Sequence, residues 1–329
     1  MKSVFLRDHT QRLSIQAGQL IQMDDCGQKR VHPICCTEQV EVYGNGQITT
    51  QAIKECLKEG VRINYYSSYG RYLGRLEPDY PKNIRRRLEQ YRLYFDTERR
   101  VIWCKGLLGA KIQGELVELR RQKEQGKSFP YEALRRGLQD GLWEIEKAKS
   151  VPELLGVEGR CAKIYYEMFR HILPKGIPWQ GRSYHPAGDG MNELLSCTYG
   201  ILARCYREEI EHWSLDPHCG FLHEPRYGGG GLAYDLLEIQ RATFCDHLVL
   251  RLLKSHEEFA EVARRRGGEF LDSALFFQLK AIVEESMVKR YRLQKQTPRQ
   301  QMERIVEMTV KELKENGAVP DYQAMHPVR

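Results

Sequence analysis

What most constrains this chain is a switch of hydrophobic period near Pro81. Upstream, apolar residues fall in short runs with partial two-residue alternation, at 3–6, 11–15, 19–23 and 39–43, parted by Gly18, Gly27 and the turn Gly44-Asn45-Gly46. Residues 48–60 read as a short helix closed by glycine and 61–66 as another strand. Downstream, the period becomes helical, over 83–105, 106–125, 131–147, 159–172, 191–213, 234–254, 270–292 and 298–315. The expected fold is therefore α+β: a small β-rich N-terminal domain, 1–80, followed by a larger all-α domain, 81–329, with Glu77-Pro78-Asp79-Tyr80-Pro81 as linker. The residues from Gly317 on read as a frayed tail.

Composition excludes several classes. At 41% hydrophobic residues there is enough apolar material for a core, which rules out wholesale disorder. Mean hydropathy is -0.57, and no apolar run approaches the ~20 residues that a membrane helix needs. The N-terminus becomes charged too early for a signal peptide, so a cytoplasmic protein with no membrane partner is expected. The net charge of +7 permits a nucleic-acid partner without requiring one. Residues 1–95 carry 15 Lys/Arg against 10 Asp/Glu and the rest 36 against 34, so a DNA surface on the longer part has to be a local patch. The ten cysteines include no C-x-x-C pair, and they read as reduced, partly buried thiols rather than zinc ligands.

Three segments set an acid or a histidine beside glycine or at a helix end. In Leu155-Gly156-Val157-Glu158-Gly159-Arg160, Glu158 is expected at a helix start, where the dipole favours a carboxylate; an ordinary N-terminal acid is the plainer alternative. In Gly220-Phe221-Leu222-His223 a histidine ends an apolar run and enters a loop, suited to metal ligation or to a backbone hydrogen bond. The glycines 228–231 lack the Lys-Ser/Thr of a phosphate-binding loop. In 232–241, Asp235 and Glu238 share a helix face, and Asp246 falls close to it again. That helix is otherwise apolar, so its acids are expected to face inward rather than to form a solvated stripe. Two carboxylates and an imidazole suit a divalent cation with open positions, Mn²⁺ more than Mg²⁺ because of the histidine. The chemistry indicated is metal-dependent phosphodiester transfer, with a zinc hydrolase as the competitor.

Taken together, the motifs resemble a known family, the catalytic subunit of the CRISPR adaptation integrase, the first-numbered Cas protein. Gly156-Val157-Glu158-Gly159 with Cys161-Ala162-Lys163-Ile164-Tyr165-Tyr166 and Phe169 is similar to its G-x-E-G-x-A-A-R-x-Y-F-x-x-F. Asn192-Glu193-Leu194-Leu195-Ser196 is similar to N-A-L-L-S, and Leu215-Asp216-Pro217 through Gly220-Phe221-Leu222-His223 to L-D-P-x-x-G-F-L-H. Leu232-Ala233-Tyr234-Asp235-Leu236-Leu237-Glu238 is similar to S-L-A-x-D-L-M-E, and 70–76 to a weaker G-x-x-x-G-x-L turn. The order and spacing of the set carry the resemblance, chiefly over 150–250.

The resemblance implies that Glu158, His223 and Glu238 are the metal ligands of a Mn²⁺ or Mg²⁺ enzyme, with Asp235 a supporting acid. It implies an integrase with endonuclease activity, which joins the 3′-hydroxyls of a captured double-stranded DNA fragment to the CRISPR repeat beside its leader. It further implies a homodimer, two of which clamp a dimer of the small second-numbered Cas protein. Glycines at 229 and 231, Gln240-Arg241-Ala242 in place of Phe-Arg-Pro, and Glu193 in place of Ala depart from the pattern without removing a ligand. Arg241, Lys163, Arg264, Lys289, Arg290 and Arg292 are candidate DNA contacts, with the runs 85–87 and 264–266 and Lys295 beside them; each has a solvated face or a salt bridge as its plain alternative. Tyr165 and Tyr291 are candidate stacking residues, or core tyrosines. The competing functions are a transposon-type integrase, a stand-alone structure-specific nuclease, and a DNA-binding scaffold without catalysis. A fused C-terminal DNA-binding domain would favour the transposon reading, and none is evident in the sequence.

Overall fold

The computed structural model describes residues 3–7, 11–68, 70, 72–77, 83–183, 187–225, 231–266, 271–290, 296–314 and 321–322. The chain forms two compact units, one of Met1–Tyr80 with Asp272–Phe277, the other of Pro81–Leu271 with Gln278–Arg329.

The first unit carries two four-stranded sheets. In one, β1 (Ser3–Leu6) runs parallel to β5 (Gln39–Tyr43), β5 parallel to β7 (Arg62–Tyr66), and β8 (Tyr72–Leu76) closes the edge antiparallel to β7. The other has the order β4 (Lys29–Pro33), β3 (Gln19–Met23), β2 (Arg12–Gln16), β6 (Gln47–Ile48). Ala17 and Gly18, at φ 50° and 72°, make the tight turn between β2 and β3; two positive φ values are what a two-residue hairpin of matching twist requires. Helix α1 (Thr50–Lys58) starts on Thr49, whose hydroxyl accepts from the Ala52 amide at 3.3 Å. Its Ala52 and Cys56 join Val4, Leu6, Leu13, Leu20, Val40, Val42 and Ile63 in one core. The strands β4 and β8 fall where the sequence pattern shows a turn and a weak glycine motif. Both lie at sheet edges, carry exposed positions, and so lack clean alternation.

The second unit is helical: α2 (Ile84–Phe95), α3 (Thr97–Glu124), α4 (Tyr131–Lys147), α5 (Val151–Ile172), α6 (Gly190–His212), α7 (Gly231–Gln240), α8 (His247–Ser255), α9 (Glu257–Arg264), α10 (Ser273–Val288) and α11 (Pro298–Lys314). The first six residues of the 272–288 stretch belong to the other unit. Three expectations change. The break expected at 105/106 lies at Asp96, whose carboxylate caps α3 by accepting from the Arg99 amide at 3.0 Å. Helix α5 begins at Val151, eight residues before the expected start, because Ser150 caps it and Pro152 sits in its first turn. The single helix expected over 234–254 is interrupted by a π-turn at Arg241–Asp246. At position 190 only glycine fits, since a Cβ there would lie 1.7 Å from the Val262 carbonyl oxygen of α9.

Candidate active site

Helix α3 carries Lys111, Glu115, Glu118 and Gln122 at i, i+4, i+7 and i+11, a single face. They are 4%, 3%, 0% and 2% exposed, so this charged seam points into the unit and has to be paired there. The Lys111 ammonium contacts Glu158 Oε1 of α5 and lies 2.9 Å from Glu238 Oε2 of α7. Two helices thus deliver one carboxylate each to a cation carried by a third. Burial would deprotonate Lys111, but Glu238 and Glu158 outweigh it and hold its pKa above the ordinary value. Burial would likewise protonate Glu238, but Arg241, Lys111 and His223 bring its pKa down to about 2. Arg241 Nη1 donates to Glu238 Oε1 at 2.7 Å. Glu115 takes the opposite course: burial pushes it up to about 8 against the pull of Lys111, and its Oε2 has no hydrogen-bond partner among the described residues.

His223 stands beside this pair on a clamped loop. Gln90 of α2 donates to the carbonyls of Asp216 and Cys219 and accepts from the Asp216 amide, each at 2.8 Å. Arg100 of α3 donates to the Phe221 carbonyl at 2.6 Å and to Glu224 at 3.0 Å. Asp235 finishes the loop. Its Oδ2 accepts the amides of Phe221 and Leu222, and its Oδ1 accepts the amide and the Nδ1 of His223, at 2.6 to 3.0 Å. A carboxylate only accepts, so the Nδ1 carries the proton and Nε2 keeps the open lone pair. Burial lowers the His223 pKa, and the hydrogen bond and charge of Asp235, with Glu238 behind, raise it by more. The ring remains 44% exposed and reachable from solvent.

The π-turn turns Asp246 away from the Asp235/Glu238 face that the helical period predicts for it, because each π-turn absorbs one extra residue. Its carboxylate instead accepts from Tyr165 at 3.0 Å and from Tyr199, while Tyr166 and Tyr199 hydroxyls meet at 2.9 Å. The Arg241 guanidinium lies 4.4 Å over the Tyr199 ring, tying this cluster to Glu238. Burial raises Asp246 to about 6, against Arg241 and the two tyrosine hydrogen bonds. A raised acid pKa means that the folded protein takes up this proton before the unfolded chain does. Asp246 therefore costs stability above pH ~6, and the cost fades as pH falls towards ~4. Thermal melts of Asp246→Asn and wild type should differ by roughly 1–2 kcal/mol more, in favour of the variant, at about pH 7.5 than at about pH 5. A difference independent of pH would contradict this reading.

The other expected positions sort clearly. Glu158 lies in the middle of α5, beyond the reach of the helix dipole, so its setting comes from Lys111 rather than from a helix start. Neither Gly156 nor Gly159 has a packing neighbour nearer than 3.9 Å to its missing Cβ, which leaves the helix surface open beside Glu158, itself 24% exposed. Tyr165 is 1% exposed and hydrogen-bonded to Asp246, a core residue rather than an exposed stacking face. Lys163, Arg264, Lys289 and Arg290 are exposed, with Arg264 paired to Glu257 and Lys289 to Glu285 at 2.6 Å. In the run at 85–87, Arg86 packs over Trp213 and bonds its carbonyl at 2.9 Å. Tyr291, Arg292, Lys295 and the glycines 228–230 lie outside the described residues. Gly231 opens α7 in contact with Gly220 rather than serving a loop. Lys111, Glu115 and Glu118 are the residues that sequence reasoning missed; α3 carries charged residues along its whole length, so their i, i+4, i+7 spacing does not stand out in the sequence.

Two carboxylates on one shared cationic position, with a histidine lone pair beside them, are a donor set that fits a divalent cation. Although Lys111 is close, Glu238 Oε2 has no hydrogen bond aimed at it among the described residues. Among the described residues, the group of three or more ligand-type atoms all within 4.8 Å of one another is Asp24, Asp25 and Cys26, on the turn between β3 and β4. The ligand atoms of Glu158, His223 and Glu238 stand further apart than that. Among the described residues, no helix is long and apolar enough to cross a membrane.

The family model described as CRISPR associated protein Cas1 matches residues 4–272. A CRISPR-associated endonuclease Cas1 of Thermus thermophilus is 34% identical over 223 residues, 68% of this chain and 65% of that protein. One from Mycobacterium tuberculosis is 30% identical over 254 residues, 77% of this chain and 74% of its own length. The chain thus spans about 65% of the length of the first relatives it matches. Among solved structures, a casposase bound to integration product aligns with TM-score 0.78 at 22% identity over 100% of this chain and 95% of the other. A Cas1 protein from Thermotoga maritima aligns with TM-score 0.76 at 19% identity over 97% and 98%.

Proposed function

The chain belongs to the Cas1 family, and from that premise we propose that it is a CRISPR adaptation integrase, joining the 3′-hydroxyl ends of a captured DNA fragment to the CRISPR repeat by transesterification, with endonuclease activity at the same site. The observation that carries this reading is the convergence of Glu158 and Glu238, from two helices, on one cationic position beside His223. These three residues would hold Mn²⁺ or Mg²⁺, which when bound supplies polarisation of a phosphoryl oxygen and charge stabilisation on the leaving oxygen.

The chain's own groups do the rest. Asp235 is a positioning residue: it fixes the His223 ring and tautomer and pins the loop through three amides. Arg241 keeps Glu238 ionised and oriented, and it is the candidate phosphate contact nearest the carboxylates. Lys163, Arg264, Lys289 and Arg290, with Arg292, would line the DNA track. Exposed ion pairs such as Arg264–Glu257 are worth little and exchange readily for a phosphate. The N-terminal unit would serve dimerisation, and two dimers would clamp the small second-numbered Cas protein in the cytoplasm.

The test is strand transfer on repeat-containing DNA with the small partner added. Joined products should form with Mn²⁺ or Mg²⁺, vanish with chelator and return when metal is restored. Cutting without joining would favour a nuclease, and joining that survives chelation would overturn the metal site.

A further inference from the structure

Lys111 occupies the position at which the two proposed ligand carboxylates meet. Its side chain is 5% exposed, so the ammonium is held by protein groups rather than by water. It shares Glu158 and Glu238, which come from different helices, and so performs the charge balance that a bound cation would perform. A divalent cation binding Glu158, Glu238 and His223 has ligands at roughly 2.0–2.2 Å, which requires the three donor atoms to close in further than they now stand. An ammonium cannot stay between them: at a few ångströms and low effective dielectric it repels a divalent ion strongly. It needs another acceptor, since a buried unpaired ammonium is costly.

One acceptor is already built. Glu115 lies one helical turn along α3 on the same face, within ordinary i, i+4 reach of a lysine. It is 3% exposed, and its Oε2 has no hydrogen-bond partner among the described residues. The metal chemistry proposed for the site uses neither residue. We propose that Lys111 is a resident cation with two stations: it holds Glu158 and Glu238 together before metal binds, and it is displaced to Glu115 when the metal arrives. This inference rests on the reading of Glu158 and Glu238 as metal ligands. Lys111 and Glu115 thereby become positioning residues that set metal affinity and keep the carboxylates assembled without it.

The test is Mn²⁺ binding to the full chain, followed by the spin-resonance signal of free Mn²⁺, together with thermal melts of the metal-free protein. Lys111→Met removes the competing cation. It should bind Mn²⁺ at least about ten-fold more tightly than wild type and melt at a lower temperature without metal. Glu115→Gln removes the carboxyl group of the second station and should bind Mn²⁺ about ten-fold more weakly without a lower metal-free midpoint. If Lys111→Met fails to fold without metal, the same affinity criterion is applied to Lys111→Gln, whose neutral amide still spans the carboxylates. Unchanged or weaker Mn²⁺ affinity in the folded Lys111 variant would overturn the proposal while leaving the metal site intact, provided Glu158→Gln and Glu238→Gln still lose Mn²⁺. Wild-type Mn²⁺ affinity in those two glutamate variants would overturn the metal site itself, and the proposal with it.

Discussion

Replacing Glu158 by Gln should reduce strand transfer by on the order of 10³-fold or more, because in the proposed site several kcal/mol of transition-state stabilisation leave with one metal ligand. The amide is isosteric but neutral, and it turns an N–H towards the cation position. Glu238→Gln should do the same to activity at a different structural cost. Glu238 is buried between Lys111 and Arg241, and its carboxylate is ionised down to about pH 2. Removing its charge leaves two buried cations under-compensated, at about 3–5 kcal/mol. Glu158 is 24% exposed and its ion pair, among the described residues, is with Lys111, so its variant separates catalysis from stability better. The two losses should not add, since either removal dismantles the same site. Joined product per unit of folded protein, with circular dichroism as control, checks both variants. Residual joining within about ten-fold of wild type would contradict the assignment.

Gly220→Ala should damage both the fold and the site. A Cβ there would stand 2.6 Å from the Gly231 carbonyl carbon, 2.8 Å from the His223 carbonyl oxygen and 2.9 Å from Asp235 Oδ2. Two of these are backbone atoms, at the start of α7 and in the His223 loop, so no side chain can swing aside. Relief requires α7 and the loop to separate, which breaks the Asp235 bonds to the Phe221, Leu222 and His223 amides. Overpacking of this kind costs about 3 kcal/mol, or on the order of 10 °C in melting midpoint for a unit of this size. The protein that remains folded should also lose joining activity, because His223 loses its orientation. A midpoint within about 2 °C of wild type would show that the approach of Gly220 to Gly231 is not required.

The parts of the fold that were legible in the sequence are those where one physical signal dominates. Strands β1, β3 and β5, with partial alternation, and helices α4, α6 and α11, with a helical period, fall close to their expected bounds. Edge strands β4 and β8 were hidden because edges tolerate exposed and charged positions on either face. The start of α5 was hidden because Gly156 and Gly159 look like breakers, whereas Ser150 and Pro152 had already opened the helix. A glycine inside a packed helix costs only about 1 kcal/mol, less than the packing returns. The π-turn has no period of its own, and it moved Asp246 from the expected acidic face into the tyrosine cluster.

The site was legible in its acids and histidine but not in its cations. Glu158, His223, Asp235 and Glu238 each sit in a short run whose composition is unusual for its surroundings. Lys111 and Glu115 sit in a long helix where a lysine and a glutamate four residues apart read as an ordinary surface pair. Only the packing of α3 against α5 and α7 reveals that this face is interior and that the pair belongs to the carboxylates opposite. Tyr165, a stacking candidate or a core tyrosine by its sequence, takes the core position, 1% exposed and bonded to Asp246.

The most direct test of the central claim, that Glu158 and its partners form a metal-dependent joining site, is strand transfer on branched repeat DNA with Mn²⁺, wild type against Glu158→Ala. The account predicts joined products from wild type alone, with both proteins folded. Equal joining by the two proteins, or none from wild type with metal and the small partner supplied, would contradict it.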